Sequence, residues 1–407
     1  MRVTEGKKGV VRVFIAGMDG YLGWSLALYL TARGHTVAGA DRFFRRTWVE
    51  EMGSHSALPI VPMRQRLTAL REHTGKTPRF WDADLCDYSA VEGILREFRP
   101  EAVVHLGECP SAPYSMIDIH HAVWVQKNNL ESTLNLAFAM RDLCPEAHLV
   151  KLGTMGEYGT PNVPIPEGFF EIEYRGRRDC LPFPRQAGSL YHQSKVHSSN
   201  NLMLLCKVYG LRVTDVMQGV VFGTRIDEMG EDPRLNTRLD FDQCFGTAIN
   251  RFCCQAVIGH PLTPFGYGHQ VRGFLPLRDS MQCLTLAIEN PARPGEYRVF
   301  NQLEELYDIT ELAGKVQMVA AEFGLDAEVR NLENPRNELE AHFYEVDHRH
   351  LLDLGYQPTH DMEAELRIML ADLLRNKDRI ETRQDALIPD VRWSGERRRV
   401  GFLSPAG

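Results

Sequence analysis

The sequence predicts an α/β protein with a doubly wound parallel sheet, because strand-like runs alternate along it with helix-like runs. The first strand is predicted at 10–16, where a β-rich apolar run ends at a glycine, and a helix at 21–33 follows it. In that helix Leu22, Leu26 and Leu30 recur every four residues and form one apolar face. The alternation continues with strands at 36–40, 79–83, 102–106, 148–152 and 211–218 and with helices at 88–98, 119–143 and 189–210.

Two stretches depart from the alternation. Residues 155–188 are rich in proline, glycine and charge, which predicts a long loop. Beyond residue 223 a mixture of short strands, turns and helices predicts a smaller mixed α/β lobe at the C-terminal side of the sheet, with helices near 309–323 and 361–379. The expected organisation is a first domain at 10–222, an interleaved lobe at 223–385 and a tail at 386–407, whose Arg397, Arg398 and Arg399 are expected to be solvated.

The composition excludes several classes of protein. Of the 407 residues, 43% are hydrophobic and 25% are charged, which is the balance of a folded globular protein. The formal net charge of -8 argues against a general polyanion binder, so no nucleic-acid partner is expected. No apolar run reaches the ~18 residues of a membrane span, and the short polar start lacks the features of a secretory signal.

Cysteine and histidine patterns narrow the classes further. The nine cysteines are scattered and include no Cys-x-x-Cys pair, which predicts reduced thiols and a cytoplasmic location. Two histidine groups, His120 with His121 and His348 with His350, lack cysteine or carboxylate partners at ligand spacing. No metal site is therefore expected.

A glycine-rich segment joins the first predicted strand to the first helix. Gly17 permits a tight turn, Gly20 lets the backbone approach a pyrophosphate, and Gly23 allows close packing of helix and strand. The helix start adds free N–H groups and the positive end of its dipole. Asp41 ends the second strand, where its carboxylate can accept both ribose hydroxyls and would repel a 2′-phosphate, so NAD is favoured over NADP. A Rossmann-type NAD-binding domain is therefore predicted at 10–222, with cofactor contacts from Gly17, Asp19, Gly20, Tyr21, Leu22, Gly23 and Asp41.

Tyr191 and Lys195 lie four residues apart, on one face of the helix predicted at 189–210. A free tyrosine has a pKa of about 10 and is a poor base at neutral pH. A nearby ammonium and an oxidised nicotinamide both stabilise the phenolate, which lowers the pKa of the phenol toward neutral pH. Thr154, just past a strand end, can supply a hydroxyl that shares the substrate proton. These three residues form the predicted catalytic group, and Tyr191 and Lys195 are also expected to contact the cofactor.

These motifs resemble the extended short-chain dehydrogenase/reductase superfamily, the NAD-dependent epimerases and dehydratases that act on nucleotide sugars. The resemblance covers nearly the whole chain and implies that the lobe at 223–385 binds the nucleotide sugar. It implies further cofactor contacts from Asp84, Leu85, Gly107 and Asn129. It also implies that Arg272 and Arg336 contact the diphosphate. Finally, it implies a homodimer that forms through the helices at 119–143 and 189–209.

Within the superfamily, several longer segments resemble the UDP-sulfoquinovose synthases. These segments are 111–116, 151–160, 218–221, 240–242 and 250–253. Enzymes of this branch oxidise C4 of UDP-glucose, eliminate water across C5 and C6, add sulfite and reduce C4 again. The resemblance implies further substrate contacts from Ser111, Tyr114, His192, Gln218, Asn250 and Arg251.

One residue departs from the synthase pattern. That pattern has an arginine directly before Ser111, where sulfite needs a cation, whereas this chain has Pro110, which can neither pair with an oxyanion nor donate a hydrogen bond. His192 remains as a neighbouring cation but is usually neutral at neutral pH. Glu157, a further catalytic candidate, has two open interpretations: a base that acts at C5, or a structural carboxylate that orders the long loop.

By these criteria only the machinery for redox chemistry at C4 is complete. We therefore expect an NAD-dependent 4-epimerase of a UDP- or GDP-linked hexose or larger sugar, such as an octose. The alternatives are a UDP-sulfoquinovose synthase and a nucleotide-sugar 4,6-dehydratase. A dinucleotide-sensing protein without catalytic activity is disfavoured, because a sensor does not need Tyr191, Lys195 and Thr154.

Overall fold

The computed structural model describes residues 9–339, 341, 343–396 and 398–403. Strands and helices alternate along the first half of the chain. In chain order the strands are β1 (Arg12–Ala16), β2 (Thr36–Asp41), β3 (Arg79–Asp82), β4 (Ala102–His105), β5 (His148–Thr154), β6 (Phe169–Tyr174), β7 (Arg177–Pro182), β8 (Arg212–Gln218), β9 (Val220–Phe222), β10 (Val271–Pro276), β11 (Tyr297–Gln302) and β12 (Glu305–Asp308). The helices are α1 (Tyr21–Ala32), α2 (Phe44–Glu51), α3 (Met63–Thr74), α4 (Tyr88–Phe98), α5 (Ala112–Ser115), α6 (Ile119–Leu143), α7 (Leu190–Tyr209), α8 (Ala248–Ile258), α9 (Leu277–Glu289), α10 (Ile309–Glu322), α11 (Arg349–Asp353), α12 (Met362–Leu374) and α13 (Lys377–Glu381).

Seven of these strands form one parallel sheet in the order β11-β8-β5-β4-β1-β2-β3. β1 lies between β2 and β4, with Val13 beside Val37 on one side and beside Ala102 on the other. The chain therefore runs outward from β1 in both directions, and a crevice opens at the carboxyl ends of β1 and β4. Ligands bind at such a switch point in doubly wound sheets. The predicted Rossmann-type fold is confirmed.

β1 is buried on both faces, which explains its continuous apolar sequence. Val13 and Ile15 pack into the cluster that contains α1, whereas Phe14 and Ala16 pack on the opposite face with side chains of α4 and α6. Successive residues of a strand point to opposite faces, so each layer of helices receives alternate side chains of β1. The two layers together hold the carboxyl end of β1, and with it Gly17, at the crevice.

The stretch 155–188 differs from the predicted loop, because it contains an antiparallel hairpin. β6 and β7 pair along their whole length. Arg175 and Gly176 connect them with positive φ angles of 50° and 74°, as a two-residue turn between right-twisted strands requires. Arginine is uncommon in this conformation, so the turn carries no Asn-Gly or Asp-Gly signal and sequence reasoning missed it.

Beyond residue 223 the chain contributes to two sheets. β11 joins the main sheet and pairs with β8 along its whole length. β9, β10 and β12 form a separate three-stranded sheet, beside which α8, α10 and α12 pack around Phe252, Val316 and Leu366. The helix predicted at 361–379 is two helices, α12 and α13. This arrangement covers the carboxyl edge of the main sheet beside the crevice.

The C-terminal segment from 386 onward is partly packed against the rest of the protein. Val391 is buried in an aromatic cluster, and Trp393 donates its backbone N–H to a carbonyl of the preceding lobe segment at 2.9 Å. Arg398 and Arg399 are exposed, whereas Arg397 lies outside the described residues. Within the described ranges, no helix is both long enough and apolar enough to cross a membrane.

Candidate active site

A cavity of about 750 Å³ runs along the carboxyl edge of the sheet, from the glycine-rich segment to the lobe. Most of the predicted site residues line it: Gly17, Gly20, Tyr21, Leu22, Gly23, Asp41, Asp84, Leu85, Gly107, Ser111, Thr154, Tyr191, His192, Gln218, Asn250, Arg272 and Arg336. The others are buried behind its wall: Asp19, Tyr114, Asn129, Glu157, Lys195 and Arg251. The residues predicted for cofactor and for substrate therefore meet in one continuous space.

The glycine-rich segment has the geometry of a pyrophosphate cradle. Gly17 has a φ of 89°, and an added Cβ there would lie 2.6 Å from the backbone carbon of Leu106. A Cβ at Gly23 would lie 2.0 Å from the Gly17 oxygen, so the close packing of α1 requires glycine. At Gly20, by contrast, the nearest atom to an added Cβ is 3.4 Å away, and this residue faces the cavity. The N-terminus of α1 thus opens onto a space that fits the pyrophosphate of NAD.

Asp41 faces the cavity and also fixes the backbone around it. Its carboxylate accepts the backbone N–H of Asp19 at 2.9 Å and that of Phe43 at 2.7 Å. Burial raises the pKa of Asp41 to about 6, with a further contribution from the Asp19 carboxylate. Asp19 turns away from the cavity, because its carboxylate accepts hydrogen bonds from Arg46 and Arg66. The Asp19 side chain therefore fixes the shape of the cradle without lining it.

Asn129 of α6 lies behind the cavity wall and joins two elements of the site. Its side-chain oxygen accepts the backbone N–H of Cys109 at 2.8 Å. Its amide group donates to the Cys109 carbonyl at 3.2 Å and to Ser194 Oγ at 2.9 Å. The segment after β4 is thereby tied to α7, the helix that carries Tyr191 and Lys195.

Tyr191 and Thr154 face the cavity from two different elements. Thr154 ends β5, and Tyr191 lies in the first turn of α7, whose N-cap residue Ser189 accepts the backbone N–H of His192. Tyr191 is 8% exposed. Burial raises the pKa of its phenol well above the ordinary value, and the Glu108 carboxylate raises it further. The phenol is therefore protonated at neutral pH in this state.

Lys195 lies one helical turn after Tyr191, and its ammonium group forms an ion pair with Glu108. The two side chains are only 4% and 3% exposed. Burial lowers the pKa of Lys195, although Glu108 acts in the opposite direction. Sequence reasoning missed Glu108. A usable signal existed, because a carboxylate directly after a buried strand and Gly107 is rarely buried without a partner.

Glu157 belongs to a network of buried charges behind the cavity. Its carboxylate accepts hydrogen bonds from Lys151 at 3.0 Å, from Arg185 at 2.7 Å and from the Ser199 hydroxyl at 2.9 Å. Lys151 also pairs with Asp215, at 3.2 Å. Because Arg185 belongs to the stretch 155–188, this geometry favours the interpretation of Glu157 as a structural carboxylate that orders that stretch.

The lobe contributes positive charge to the far end of the cavity. Arg272 and Arg336 line this end, and Glu338 pairs with Arg272 at 2.8 Å. Nε of Arg336 is buried and has no hydrogen-bond partner among the described residues. Burial, aided by these two arginines, lowers the pKa of His192 to about 3, so His192 is neutral and adds no cation. The pair of arginines suits a ligand with several negative charges.

The remaining predicted substrate contacts divide between the cavity and its wall. Ser111, Gln218 and Asn250 line the cavity. Tyr114 instead donates its hydroxyl to a carboxylate of α2 at 2.7 Å. Arg251 places its guanidinium carbon 4.2 Å from the centre of an aromatic ring in the lobe. Tyr114 and Arg251 therefore support the wall and do not face the cavity.

Sequence reasoning also missed two arginines that line the cavity, Arg45 of α2 and Arg238. Both bind Asp240, Arg45 through Nε at 2.7 Å and Arg238 through Nη2 at 2.9 Å. Nη1 of Arg45 is buried without a hydrogen-bond partner in the part of the chain that the structure describes. Burial raises the pKa of the Cys109 thiol to about 12, and the positive charge of Arg45 is the largest effect that lowers it. A cation is therefore present in the neighbourhood of Pro110, although Pro110 itself supplies none.

Two relatives match almost the whole chain. It is 45% identical to the chloroplastic UDP-sulfoquinovose synthase of Spinacia oleracea over 390 residues, which are 96% of this chain and 80% of that protein. It is 44% identical to the UDP-sulfoquinovose synthase of Sulfolobus acidocaldarius over 384 residues, which are 94% of this chain and 98% of that protein.

These relatives overturn the expected 4-epimerase activity, which is wrong. The expectation depended on Pro110, because the neighbours of that residue in the sequence contain no cation that could hold sulfite. The structure gives the reason for the error. Arg45 of α2, which lies far from Pro110 along the chain, is a cation that lines the same cavity.

The fold has counterparts among solved structures. The UDP-glucuronic acid 4-epimerase of Bacillus cereus, in complex with UDP-glucuronic acid and NAD, aligns with 89% of this chain and 99% of its own, with a TM-score of 0.67 and 18% identity. That likeness concerns the fold alone. The sequence profile of the NAD dependent epimerase/dehydratase family matches residues 13–301, from β1 into β11. The chain is therefore a member of the NAD-dependent epimerase/dehydratase family, and its cofactor is NAD.

Proposed function

We propose that this protein is a UDP-sulfoquinovose synthase, which forms UDP-sulfoquinovose from UDP-glucose and sulfite. The observation that carries the proposal is the identity of 44% and 45% to two such synthases along 94% and 96% of the chain. The matched stretch covers nearly the whole chain, and with it most of the residues that line the cavity. The arrangement of charges in the cavity supports the redox chemistry at C4, the binding of the UDP group and the binding of sulfite.

The cofactor end supports the redox chemistry. When bound, NAD accepts a hydride from C4 of the sugar and later returns it. Residues 17–23 hold the pyrophosphate at the start of α1, and Asp41 accepts hydrogen bonds from the adenosine ribose. Tyr191 takes the proton of the C4 hydroxyl, Thr154 shares that proton through its own hydroxyl, and Lys195 stabilises the phenolate.

The lobe end supports binding of the UDP group. The proposed division of the chain is an NAD-binding domain at 10–222 and a nucleotide-sugar lobe at 223–385. Arg272 and Arg336 of the lobe donate charge-assisted hydrogen bonds to the diphosphate. The sugar would then lie between the lobe and Tyr191, both of which line the cavity.

Arg45 supports a site for sulfite. A dianion that enters a partly dry cavity loses hydration, which the protein must replace with positive charge and donors. Arg45 and Arg238 share a single carboxylate, that of Asp240, so the three groups carry one excess positive charge. Nη1 of Arg45, which is buried without a hydrogen-bond partner among the described residues, adds a donor. Although Pro110 replaces the arginine of the synthase pattern, Arg45 therefore still supplies a cation for sulfite.

A homodimer and a cytoplasmic location complete the proposal. α6 and α7 pack side by side and expose apolar side chains that a second copy of the chain would cover: Ile119, Val123, Leu204, Val208 and Tyr209. The nine cysteines are all free, which suits a reducing compartment. Sedimentation of the purified protein checks the dimer, and a monomer at micromolar concentration would contradict it.

The decisive experiment is incubation of the NAD-loaded protein with UDP-glucose, with and without sulfite, followed by mass spectrometry of the nucleotide sugars. We expect a sulfonated UDP-hexose only when sulfite is present. Tyr191→Phe protein serves as the control and should form none. UDP-glucose that stays unsulfonated while a known synthase converts it under the same conditions would contradict the proposal.

A further inference from the structure

We propose that Glu108 is a positioning residue, which holds the Lys195 ammonium group and keeps the proton on Tyr191 until the substrate is in place. The inference rests on the proposed role of Tyr191 as the proton acceptor. Glu108 is outside the residues that the sequence motifs single out, and no step of the reaction outlined above uses it. Its position between the end of β4 and α7 gives it direct access to the Tyr–Lys pair.

The geometry of the ion pair is fixed from both sides. Glu108 follows Gly107 at the end of β4 and lines the cavity, while Lys195 projects toward it from α7. The next residue, Cys109, is held to α6 by Asn129, which also binds α7 through Ser194. The backbone on either side of the pair is therefore anchored by a second contact between the same elements.

The Glu108 carboxylate has an unused acceptor. One oxygen binds Lys195, whereas the other, Oε1, is buried and has no hydrogen-bond partner within the described ranges. A buried carboxylate oxygen without a partner is unfavourable, so the hydrogen bond that the other oxygen accepts from Lys195 is what offsets the burial of this carboxylate within the described ranges. Glu108 therefore keeps a strong preference for the Lys195 cation.

Other charges near the pair are already balanced. The charged groups that act on Tyr191 or Lys195, besides Glu108, are Arg45, Lys151 and Glu157. The Cys109 thiol is neutral because burial raises its pKa to about 12, and the His192 ring lies tilted beside Tyr191, with 4.9 Å between the ring centres. Glu157 is paired with Lys151 and Arg185, and Arg45 is paired with Asp240. His105, which faces Glu108 from β4, is neutral because burial lowers its pKa to about 4, and His192 is neutral as well.

Glu108 is thus the carboxylate that offsets the charge of Lys195. A lone ammonium group beside a phenol favours loss of the phenol proton, and a carboxylate bound to that ammonium opposes the effect. Burial is the largest cause of the raised pKa of Tyr191, and Glu108 is the next. This balance suits a reaction that oxidises and then reduces C4, because Tyr191 must give back the proton that it takes.

The test is an optical titration of tyrosinate in the NAD-loaded protein, compared between the wild type, Glu108→Gln and Glu108→Asp. Subtraction of a Tyr191→Phe titration isolates the signal of Tyr191. Glutamine still accepts a hydrogen bond from Lys195 but removes the negative charge, so we expect the Tyr191 midpoint to fall by about one pH unit. Aspartate retains the charge, so its midpoint should stay closer to the wild-type value than that of the glutamine variant.

A midpoint that is unchanged in Glu108→Gln would overturn the proposal, and so would an equal shift in both variants. The titration needs no turnover, so it decides the role of Glu108 even if UDP-glucose and sulfite are not the substrates. If they are, the pH profile of the rate of NADH formation from UDP-glucose gives a second readout. Its acidic limb should shift to lower pH in Glu108→Gln by the same amount as the Tyr191 midpoint. If the Tyr191 midpoint shifts but the acidic limb of the rate profile does not, the role assigned to Glu108 would also be contradicted.

Discussion

The two ends of the cavity are built in different ways. At the cofactor end, the cradle of residues 17–23 uses backbone groups, and the Asp41 carboxylate lines the cavity beside it. At the substrate end, charged side chains come from separate segments of the chain: Arg272 and Arg336 belong to the lobe, and Arg45 of α2 acts on Tyr191. The first end depends on the shape of one short segment, whereas the second depends on individual charges. Single substitutions should therefore affect the two ends differently.

The largest effect is expected where the two ends meet, at Tyr191. Tyr191→Phe removes the proposed proton acceptor of the C4 hydroxyl, and groups with such a role contribute about 10²–10⁴-fold to rates. Formation of bound NADH from UDP-glucose should fall by that factor, while calorimetric affinity for UDP-glucose should change little. A variant that forms NADH at the wild-type rate would place the acid–base chemistry elsewhere.

Loss of one lobe arginine is expected to weaken substrate binding next most strongly. A charge-assisted hydrogen bond contributes roughly 1.5–3 kcal/mol, so Arg272→Ala and Arg336→Ala should each raise KM for UDP-glucose about 10- to 150-fold. NAD affinity should remain near the wild-type value, because the cradle is separate. Arg79→Ala, at an exposed ion pair with Glu97, is the matched control and should leave KM unchanged.

A pair of substitutions in one segment tests the assignment of the sulfite site. Arg45→Gln removes the cation with the free Nη1 donor, so the sulfite concentration at half-saturation should rise about tenfold. Arg42→Gln is the control, because Arg42 lines the cofactor end and pairs with Asp82 at 3.0 Å. Equal effects of the two variants on sulfite would show that Arg45 acts only through the general charge of the cavity.

The smallest effect concerns the pH dependence at the cofactor end. In the proposed cofactor site the ribose hydroxyls would need the ionised carboxylate of Asp41, whose pKa is raised to about 6. About half of it is protonated near pH 6, so NAD affinity there should be roughly twofold weaker than near pH 8 and should fall further at lower pH. Asp41→Asn should bind NAD more weakly and lose this dependence, which titration calorimetry at several pH values would show.

The contribution of Asp41 to folding stability changes with pH in the opposite direction to NAD affinity. A carboxyl group whose pKa is higher in the folded than in the unfolded protein stabilises the fold when protonated. Its contribution is therefore present below about pH 4, the ordinary range of the group, and is lost as the pH rises through about 6. Cofactor affinity and the contribution of Asp41 to stability should thus change in opposite directions over this range.

The contrast between the two ends also explains what the sequence could predict. α6 has the bounds predicted for it, 119–143, and β1, α1 and the cradle were predicted because their signals are contained within a few turns of chain. Glu108 and Lys195 are 87 residues apart, and Arg45 and Asp240 are 195 apart. No local pattern encodes such pairs. The cofactor was therefore predicted correctly, whereas the reaction, which depends on distant charges, was not.

Two other features had weaker signals. The hairpin of β6 and β7 has an arginine where such turns usually carry asparagine or glycine, so its strands lacked their usual marker. The placement of Trp393 against the cavity depends on the fold of the whole lobe, since the residue follows a segment with no regular pattern. In both places tertiary contacts decide the structure.

The position of β11 limits how this protein can be divided or recombined. Residues 297–302 form the outer strand of the main sheet, although they follow β9 and β10 of the separate three-stranded sheet in the chain. A fragment that ends at residue 222 would leave the outer edge of β8 with unpaired backbone groups, which favours aggregation. An exchange of lobes between relatives would have to leave β11 in place, because this strand belongs to the main sheet of the recipient protein. The exchanged part would therefore consist of two separate segments, one before β11 and one after it.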